Sequence, residues 1–285
     1  MSGADLRLAG RRQNRTGLII RYVIASILAV VFLVPFYGMI KVALSPSEDI
    51  YSPDFVFWPE QPQWQRIGEV IGDPSFRDAI LNSAIMAVVS TALTILIAAL
   101  AGYALARIRS RAAGPMFGLV ILVLLIPATT AFVPNFIIVA SLGWIGTLQG
   151  LIVPGLFSAF NVFLFRQFYL NFPREIEEAA LIDGAGYLRV FFSIVLPNTL
   201  PFASALTVLG LIGSWNAFLW PLVVSGSGQG VLTVQIYLSS FLTAQTFDYG
   251  TLFMATTLSL IPVLVIFFLL QRHLVQGVAA TGLKG

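Results

Sequence analysis

The residues of this chain best suited to chemistry are gathered in one polar stretch, Asn171-Phe172-Pro173-Arg174-Glu175-Ile176-Glu177-Glu178-Ala179-Ala180-Leu181-Ile182-Asp183-Gly184-Ala185. The chemistry on offer there is docking. Asn171 is a cap residue, and Pro173 suits a first helical turn. Glu175, Glu177 and Glu178 fall where the positive end of a helix dipole favours carboxylates, and Gly184 suits a helix terminus. The spacing predicts a helix of about three turns, too short and acidic to cross lipid and marginal alone in water. Ile176, Ala179, Ala180 and Leu181 need a surface to bury them, and small alanines let that surface come close. Two readings stand: a self-contained loop helix, or a helix that seats a partner. In the second, Glu178 meets a basic group or helix terminus in a charge-assisted contact. Asp183 and Gly184 then shape the turn that sets the exit angle, and glycine is needed there if the backbone is left-handed.

Bond-making chemistry has no comparable cluster. No nucleophile, acid–base pair or metal set forms a constellation. The chain has no cysteine and a single histidine, His273, beside Arg272 after the last apolar run. Disulfides, iron–sulfur clusters and thiolate zinc sites are thereby excluded. No Gly-x-x-x-x-Gly-Lys-Ser/Thr phosphate loop is present, so ATP hydrolysis is not expected of this chain, nor any bound cofactor.

The elements that must position the polar stretch are membrane spans. Of 285 residues 58% are apolar and only 10% charged, where a soluble domain carries about a quarter charged. Residues 112–165, 190–247 and 249–271 contain no Asp, Glu, Lys or Arg. Such runs exceed the roughly 20 residues that cross a bilayer as a helix, and in hydrocarbon the backbone must be satisfied within the segment. The short alternating segments of a transmembrane barrel are absent. Spans are expected near 18–44, 79–106, 116–140, 148–165, 199–224 and 251–271, giving an all-α membrane protein of six helices with one short loop helix. Residues 1–17 and 272–285 flank the span region 18–271. The first apolar run is too long for a signal peptide and lacks a small-residue cleavage site, so it reads as an uncleaved span.

Cations choose the orientation. Thirteen of the 16 Lys and Arg fall on one set of flanks (Arg7, Arg11, Arg12, Arg15, Arg21, Arg107, Arg109, Arg111, Arg166, Arg174, Arg189, Arg272, Lys284). Lys41, Arg66 and Arg77 fall on the other. The positive-inside rule therefore puts both termini and the polar loop 171–197 in the cytoplasm, and residues 45–78 outside. The net charge of +3 is an imprint of topology, and no nucleic-acid partner is implied. The outer loop, with Pro53, Trp58, Pro59, Pro62 and Trp64, reads as a plain connector, an interfacial segment or a docking surface.

Within the spans, Ala98, Ala99, Ala101, Gly102, Ala104 and Ala106 form a face for close helix packing. Pro127 and Pro134 kink or break the third span, which suits a cavity lining as well as an ordinary membrane helix. Lys41 sits near an outer span end and is expected to snorkel. Asn216, next to Trp215, must find a partner at membrane depth; an interhelical hydrogen bond and contact with a solute in a cavity are both open. No buried carboxylate provides the coupling-ion site of a secondary transporter.

Glu178-Ala179-Ala180, three residues, Gly184, nine residues, Ile194, one residue and Leu196-Pro197 match the pattern E-A-A-x3-G-x9-I-x-L-P at every fixed position. The chain thus resembles the permease subunits of binding-protein-dependent ABC importers, and in particular the maltose-type carbohydrate branch. Asn82-Ser83, Ala101-Gly102-Tyr103-Ala104-Leu105-Ala106-Arg107, Arg166-Gln167-Phe168, Trp215-Asn216-Ala217-Phe218-Leu219-Trp220-Pro221-Leu222 and the tail Gln271-Arg272, Gly277 and Thr281-Gly282-Leu283-Lys284-Gly285 carry that part of the likeness. The tail departs modestly from the family's Gly-Ala-Val-Lys-Gly. The resemblance implies a type I importer fold, with a second homologous permease, a pair of ATP-binding subunits and an extracytoplasmic solute-binding protein as partners. ATP and Mg would be bound by the ATPase. Glu178, Ala179, Ala180, Asp183 and Gly184 become the ATPase-coupling residues, and Trp215, Asn216, Pro127 and Pro134 candidates for the translocation cavity. The branch implies a sugar-like solute: an oligosaccharide, disaccharide, polyol or glycerol phosphate.

Overall fold

The computed structural model describes residues 15–52, 56–226, 230–243 and 248–282, and every regular element among them is helical. Arg7, Arg11, Arg12, Pro53 and Lys284 lie outside the described residues, as do the side chains of Arg15, Arg272 and His273. Four helices are long and apolar enough to cross a membrane, and two bent pairs raise the spans to six when each counts as one.

The first span is α1 (Arg15–Leu44), apolar on all sides. The loop after it holds α2 (Ser47–Tyr51) and α3 (Gln65–Gly72). α4 (Pro74–Arg107) starts earlier than expected because Asp73 caps it, accepting from the Ser75 N–H at 2.9 Å, and Pro74 occupies the first turn. α5 (Ala113–Leu125) meets a 3₁₀ turn and α6 (Phe132–Ser141) at a 95° bend. Pro127 makes that break, since an i→i−4 bond is impossible there. Pro134 lies in the first turn of α6, where no helical donor is lost.

Gly143 (φ 70°) and Gly146 (φ 75°) turn the chain into α7 (Leu148–Ile152), which Thr147 caps. A 45° bend leads to α8 (Ala159–Leu170), capped by Ser158. The fourth span therefore runs past Phe165, and Arg166 lies inside its helix, its guanidinium 3.7 Å from the centre of the Phe117 ring.

α9 (Arg174–Ile182) is the expected loop helix. The fifth span departs from the expected 199–224: it runs from α10 (Tyr187–Val190) through a π-turn at Phe191–Val195 into α11 (Leu196–Trp215). A proline ordinarily breaks a helix, yet the wide π-turn lets this one pass through Pro197. The Leu196 N–H bonds back to the Phe191 carbonyl, which makes room for the proline ring. The same span stops short at Trp215, because Asn216 leaves the helix and α12 (Leu219–Val224) is a separate piece. α13 (Val234–Thr243) and the long α14 (Tyr249–Gly282) complete the order.

The described residues fall into two compact units. In the first, the buried Arg66 guanidinium donates to the carbonyls of Ala43 and Ser45. A Cβ on Gly250 would come within 2.5 Å of its Cζ, so the guanidinium rests on bare backbone. Asp248 caps α14, accepting from the Thr251 N–H at 3.0 Å and the Thr251 hydroxyl at 2.6 Å. Burial pushes the Asp248 carboxyl up, but the Thr251 bonds and the Arg66 charge outweigh it and hold it below its usual value.

The second unit is built on α4, which packs most heavily against α8 and α11. Its core joins Ala98, Ala99 and Tyr103 to Phe165, Tyr169, Phe191 and Val195. The small-residue face expected on the second span is therefore an internal packing face, and Gly102 is its closest point: a Cβ there would lie 2.7 Å from the Phe165 Cβ. Asn82 donates to the Leu232 carbonyl at 3.0 Å, and Ser83 accepts from the Val234 N–H at 2.8 Å, tying α13 to α4.

Candidate functional site

α9 forms because its first turn is acidic and its last residues can stop cleanly. Glu175 and Glu177 complement the N-terminal dipole. At the other end the Ala185 N–H bonds to the Ala180 carbonyl and the Gly184 N–H to the Leu181 carbonyl. These are the two bonds of a Schellman motif, and Gly184 takes the left-handed conformation the motif requires (φ 84°). Asn171 does not cap α9 as expected. It ends α8, donating to the Gln167 carbonyl at 2.8 Å, and Pro173 takes the N-cap position instead.

The faces of α9 are sharply divided. Glu178, Ala179, Ile176 and Asp183 are exposed, and Ile182 is 86% exposed. Ala180 and Leu181 are half-buried against the chain's own core, so of the two alanines only Ala179 faces outward. Glu177 is the one buried residue of the helix, at 5% exposure. Its Oε1 lies 2.9 Å from Arg107 Nε, an ion pair whose angle falls outside hydrogen-bond geometry. Its Oε2 accepts from the Tyr103 hydroxyl at 3.1 Å. Arg107 Nη2 donates to the Phe172 carbonyl in the turn before α9.

A polar cleft of about 270 Å³ opens beside this clasp, lined by Arg107, Arg109, Arg174, Glu177, Glu178 and Tyr187 among others. Glu178 thus sits at the rim of a surface of mixed charge. Neither Arg107 nor Tyr103 was picked out for this role by sequence reasoning. The available signal was their i, i+4 spacing at a span end, which puts both on one side of α4.

The expected cavity residues do not converge. Trp215 is buried at 4% exposure and packs the interior, whereas Asn216, Pro127 and Pro134 are exposed. Asn216 donates to its own Ile212 carbonyl at 2.9 Å and accepts weakly from Gln235 at 3.4 Å. A cavity of about 240 Å³ lies elsewhere, between α4, α7, α8, α11 and α12. Ser90, Thr91 and Thr94 of α4 line it together with Asn161, Ser214 and Trp220. Ser90 and Ser214 hydroxyls meet at 3.1 Å, and Trp220 donates to the Gly150 carbonyl at 3.2 Å. Four hydroxyls, one amide and one indole therefore punctuate a wall that is otherwise apolar, with Met86, Leu151, Ile152 and Pro221 among its lining. Among the described residues no group of His, Asp and Glu could hold a metal ion.

Residues 94–280 match the model of a family described as binding-protein-dependent transport system inner membrane component. The chain is 30% identical over 259 residues to the lactose transport system permease protein LacG of Rhizobium radiobacter, covering 91% of this chain and 94% of that one. It is 34% identical over 204 residues to the arabinooligosaccharides transport system permease protein AraQ of Halalkalibacterium halodurans, covering 72% and 73%. It is 32% identical over 273 residues to the sn-glycerol-3-phosphate transport system permease protein UgpE of Yersinia pestis, covering 93% and 97%. Among solved structures, a chain of a bacterial ABC transporter involved in importing the acidic polysaccharide alginate superposes with a TM-score of 0.79. The two share 22% identity, over 92% of this chain and 98% of that one.

Proposed function

Because the chain belongs to the family of binding-protein-dependent transport system inner membrane components, we propose that it is the permease subunit of an ATP-driven importer of a sugar or sugar-like solute. The solute class follows the relatives, whose names give lactose, arabinooligosaccharides and glycerol phosphate. ATP is hydrolysed by a pair of separate subunits, solute is delivered by an extracytoplasmic binding protein, and a second homologous permease completes the path.

The observation that carries this reading is α9. A helix of nine residues that turns Glu178, Ala179 and Ile182 outward while Gly184 fixes its stop is built to seat another protein. The ATPase docks on Glu178 and Ala179, with Asp183 and Gly184 holding the exit turn, and Ala180 backs the helix from within. Closure of the ATPase pair around nucleotide shifts the spans between inward-open and outward-open states, a population shift set by differential binding. Copurification tests this directly: the tagged chain, extracted from its own membrane, should bring an ATPase subunit with it. Recovery of the chain alone, with the membrane complex otherwise intact, would count against the reading.

Both termini and the α9 loop are assigned to the cytoplasm. The chain contains no cysteine, so single cysteines report topology without background. Glu60→Cys should react with an impermeant maleimide added outside cells, and Glu178→Cys should react only after permeabilisation. The opposite pattern would invert the orientation.

The cavity beside Ser90 and Ser214 is assigned to the solute path, together with the exposed Asn216, Pro127 and Pro134; the buried Trp215 is not. Ser214→Leu should raise the solute concentration for half-maximal uptake by about tenfold, the effect of losing one or two polar contacts of about 1 kcal/mol each. Asn216→Leu should lower thermal stability slightly through loss of its bond to Ile212, and weaken uptake less than Ser214→Leu. Unchanged uptake in Ser214→Leu would remove the cavity from the path.

A further inference from the structure

The span-end segment Gly102-Tyr103…Arg107 and the loop residue Glu177 are unexplained by docking alone, since all are turned inward. Resting on the permease reading above, we propose that Glu177, Arg107 and Tyr103 form a brace that locks the docking helix to the end of α4, so that motion of the ATPase enters the bundle through α4. In sequence α9 is flanked by α8 and α10, and a loop helix ordinarily follows its own neighbours. Here its single buried side chain reaches instead to a helix that ended some 70 residues earlier.

The geometry is that of a two-point fixture. Tyr103 and Arg107, one turn apart on α4, hold the two oxygens of one carboxylate. The same guanidinium holds the Phe172 carbonyl, so the turn entering α9 is fixed along with the helix. Both ion-pair side chains are almost wholly buried, at 5% and 7% exposure. A buried pair adds little net stability over a well-packed apolar pair, while its geometry is directional. Its contribution here is therefore orientation. Adjacent residues divide the work: Glu178 points out to the partner and Glu177 points in to α4. α4 is well placed to distribute a displacement, because it packs on both α8 and α11. At those crossings Gly102 and Gly210 admit near-backbone contact, with Phe165 and Thr91 against them.

The test uses the whole complex in lipid nanodiscs, with its other subunits made cysteine-free and spin labels attached at Ile108→Cys and Glu175→Cys. Both positions are exposed, and neither belongs to the docking face of α9. The expected distance distribution is narrow and identical in the nucleotide-free and ADP-vanadate-trapped complexes. Glu177→Gln should broaden it and lower the stimulation of ATP hydrolysis by loaded binding protein about tenfold, within the usual range of coupling effects, while the ATPase stays bound. Arg107→Glu and Glu177→Arg should each do the same, and the double exchange should recover hydrolysis beyond either single variant. A label distance that changes with nucleotide in the otherwise natural chain would overturn the brace. So would a Glu177→Gln complex with a narrow distribution and full stimulation. Absence of the ATPase from the unsubstituted complex would instead overturn the permease reading itself.

Discussion

Gly102→Leu is expected to prevent assembly of the span bundle, and even Gly102→Ala should weaken it measurably. A Cβ at this position would meet the Phe165 Cβ at 2.7 Å and the Arg166 amide nitrogen at 2.9 Å. The second of these atoms is backbone inside α8, so no rotamer change relieves the contact. The helices must separate, and they form the most extensive contact in the bundle, with Tyr103, Phe165 and Tyr169 packed around it. Inserting bulk into such a site costs about 1–3 kcal/mol and more when backbone must move. Membrane helices associate largely through this close packing, which leaves little to offset the loss. Gly118→Leu is the matched control, because a Cβ on Gly118 meets nothing within 4 Å. Thermal unfolding of the purified complex, followed by size-exclusion chromatography, should rank the variants Gly118→Leu, Gly102→Ala, Gly102→Leu from least to most damaged. Equal stability of Gly102→Leu and Gly118→Leu would show that α4 and α8 do not touch as described.

Much of this architecture is legible in local sequence because its signals are local. Charge-free runs mark spans, and Pro127 marks the break in the third. Gly184 marks the end of α9, and each of these depends only on residues close by. What stays hidden depends on contacts between distant segments. Nothing around Glu177 distinguishes it from Glu175 or Glu178 until α4 brings Tyr103 and Arg107 against it. The fifth span begins well before the expected 199 because the helix continues through Leu196-Pro197, and the π-turn that allows this cannot be read from composition. Asn171 was misread for a related reason: a short polar side chain between two helices can end one or begin the next, and the choice lies in backbone geometry. The cavity hydroxyls Ser90 and Thr94 passed unnoticed since such groups in apolar helices usually bond back to their own turn, as Ser90 does to the Met86 carbonyl. Only the approach of Ser214 from α11 brings a hydroxyl of a second helix against Ser90 at the cavity.

Gly184→Val is expected to abolish solute uptake while leaving the chain in the membrane, and Gly184→Asn to retain most of it. The reason is conformational, since nothing lies within 4 Å of a Cβ built at Gly184, and added bulk therefore meets no neighbour. Its φ of 84° is what excludes valine. A β-branched residue in that region carries about 1–3 kcal/mol of backbone strain, whereas asparagine tolerates it. The strain is relieved by abandoning the two bonds from Gly184 and Ala185 back to Leu181 and Ala180. Losing them frays the last turn of α9 and lets Ala180, Leu181 and Ala185 lift from the core they help to cover. The outward-facing Glu178 and Ala179 would then no longer be held at a fixed angle. Docking would fail, or hydrolysis would proceed without movement of the spans. In reconstituted complexes ATP hydrolysis in Gly184→Val should lose its dependence on loaded binding protein, or the ATPase should be missing altogether. Gly184→Asn should keep both the subunit and most of the stimulation, because it restores the backbone conformation with a side chain the open site can hold. Equal loss in the two variants would mean that the position senses bulk, and that the partner itself presses against Gly184. Normal stimulation and uptake in Gly184→Val would remove the α9 terminus from the coupling path.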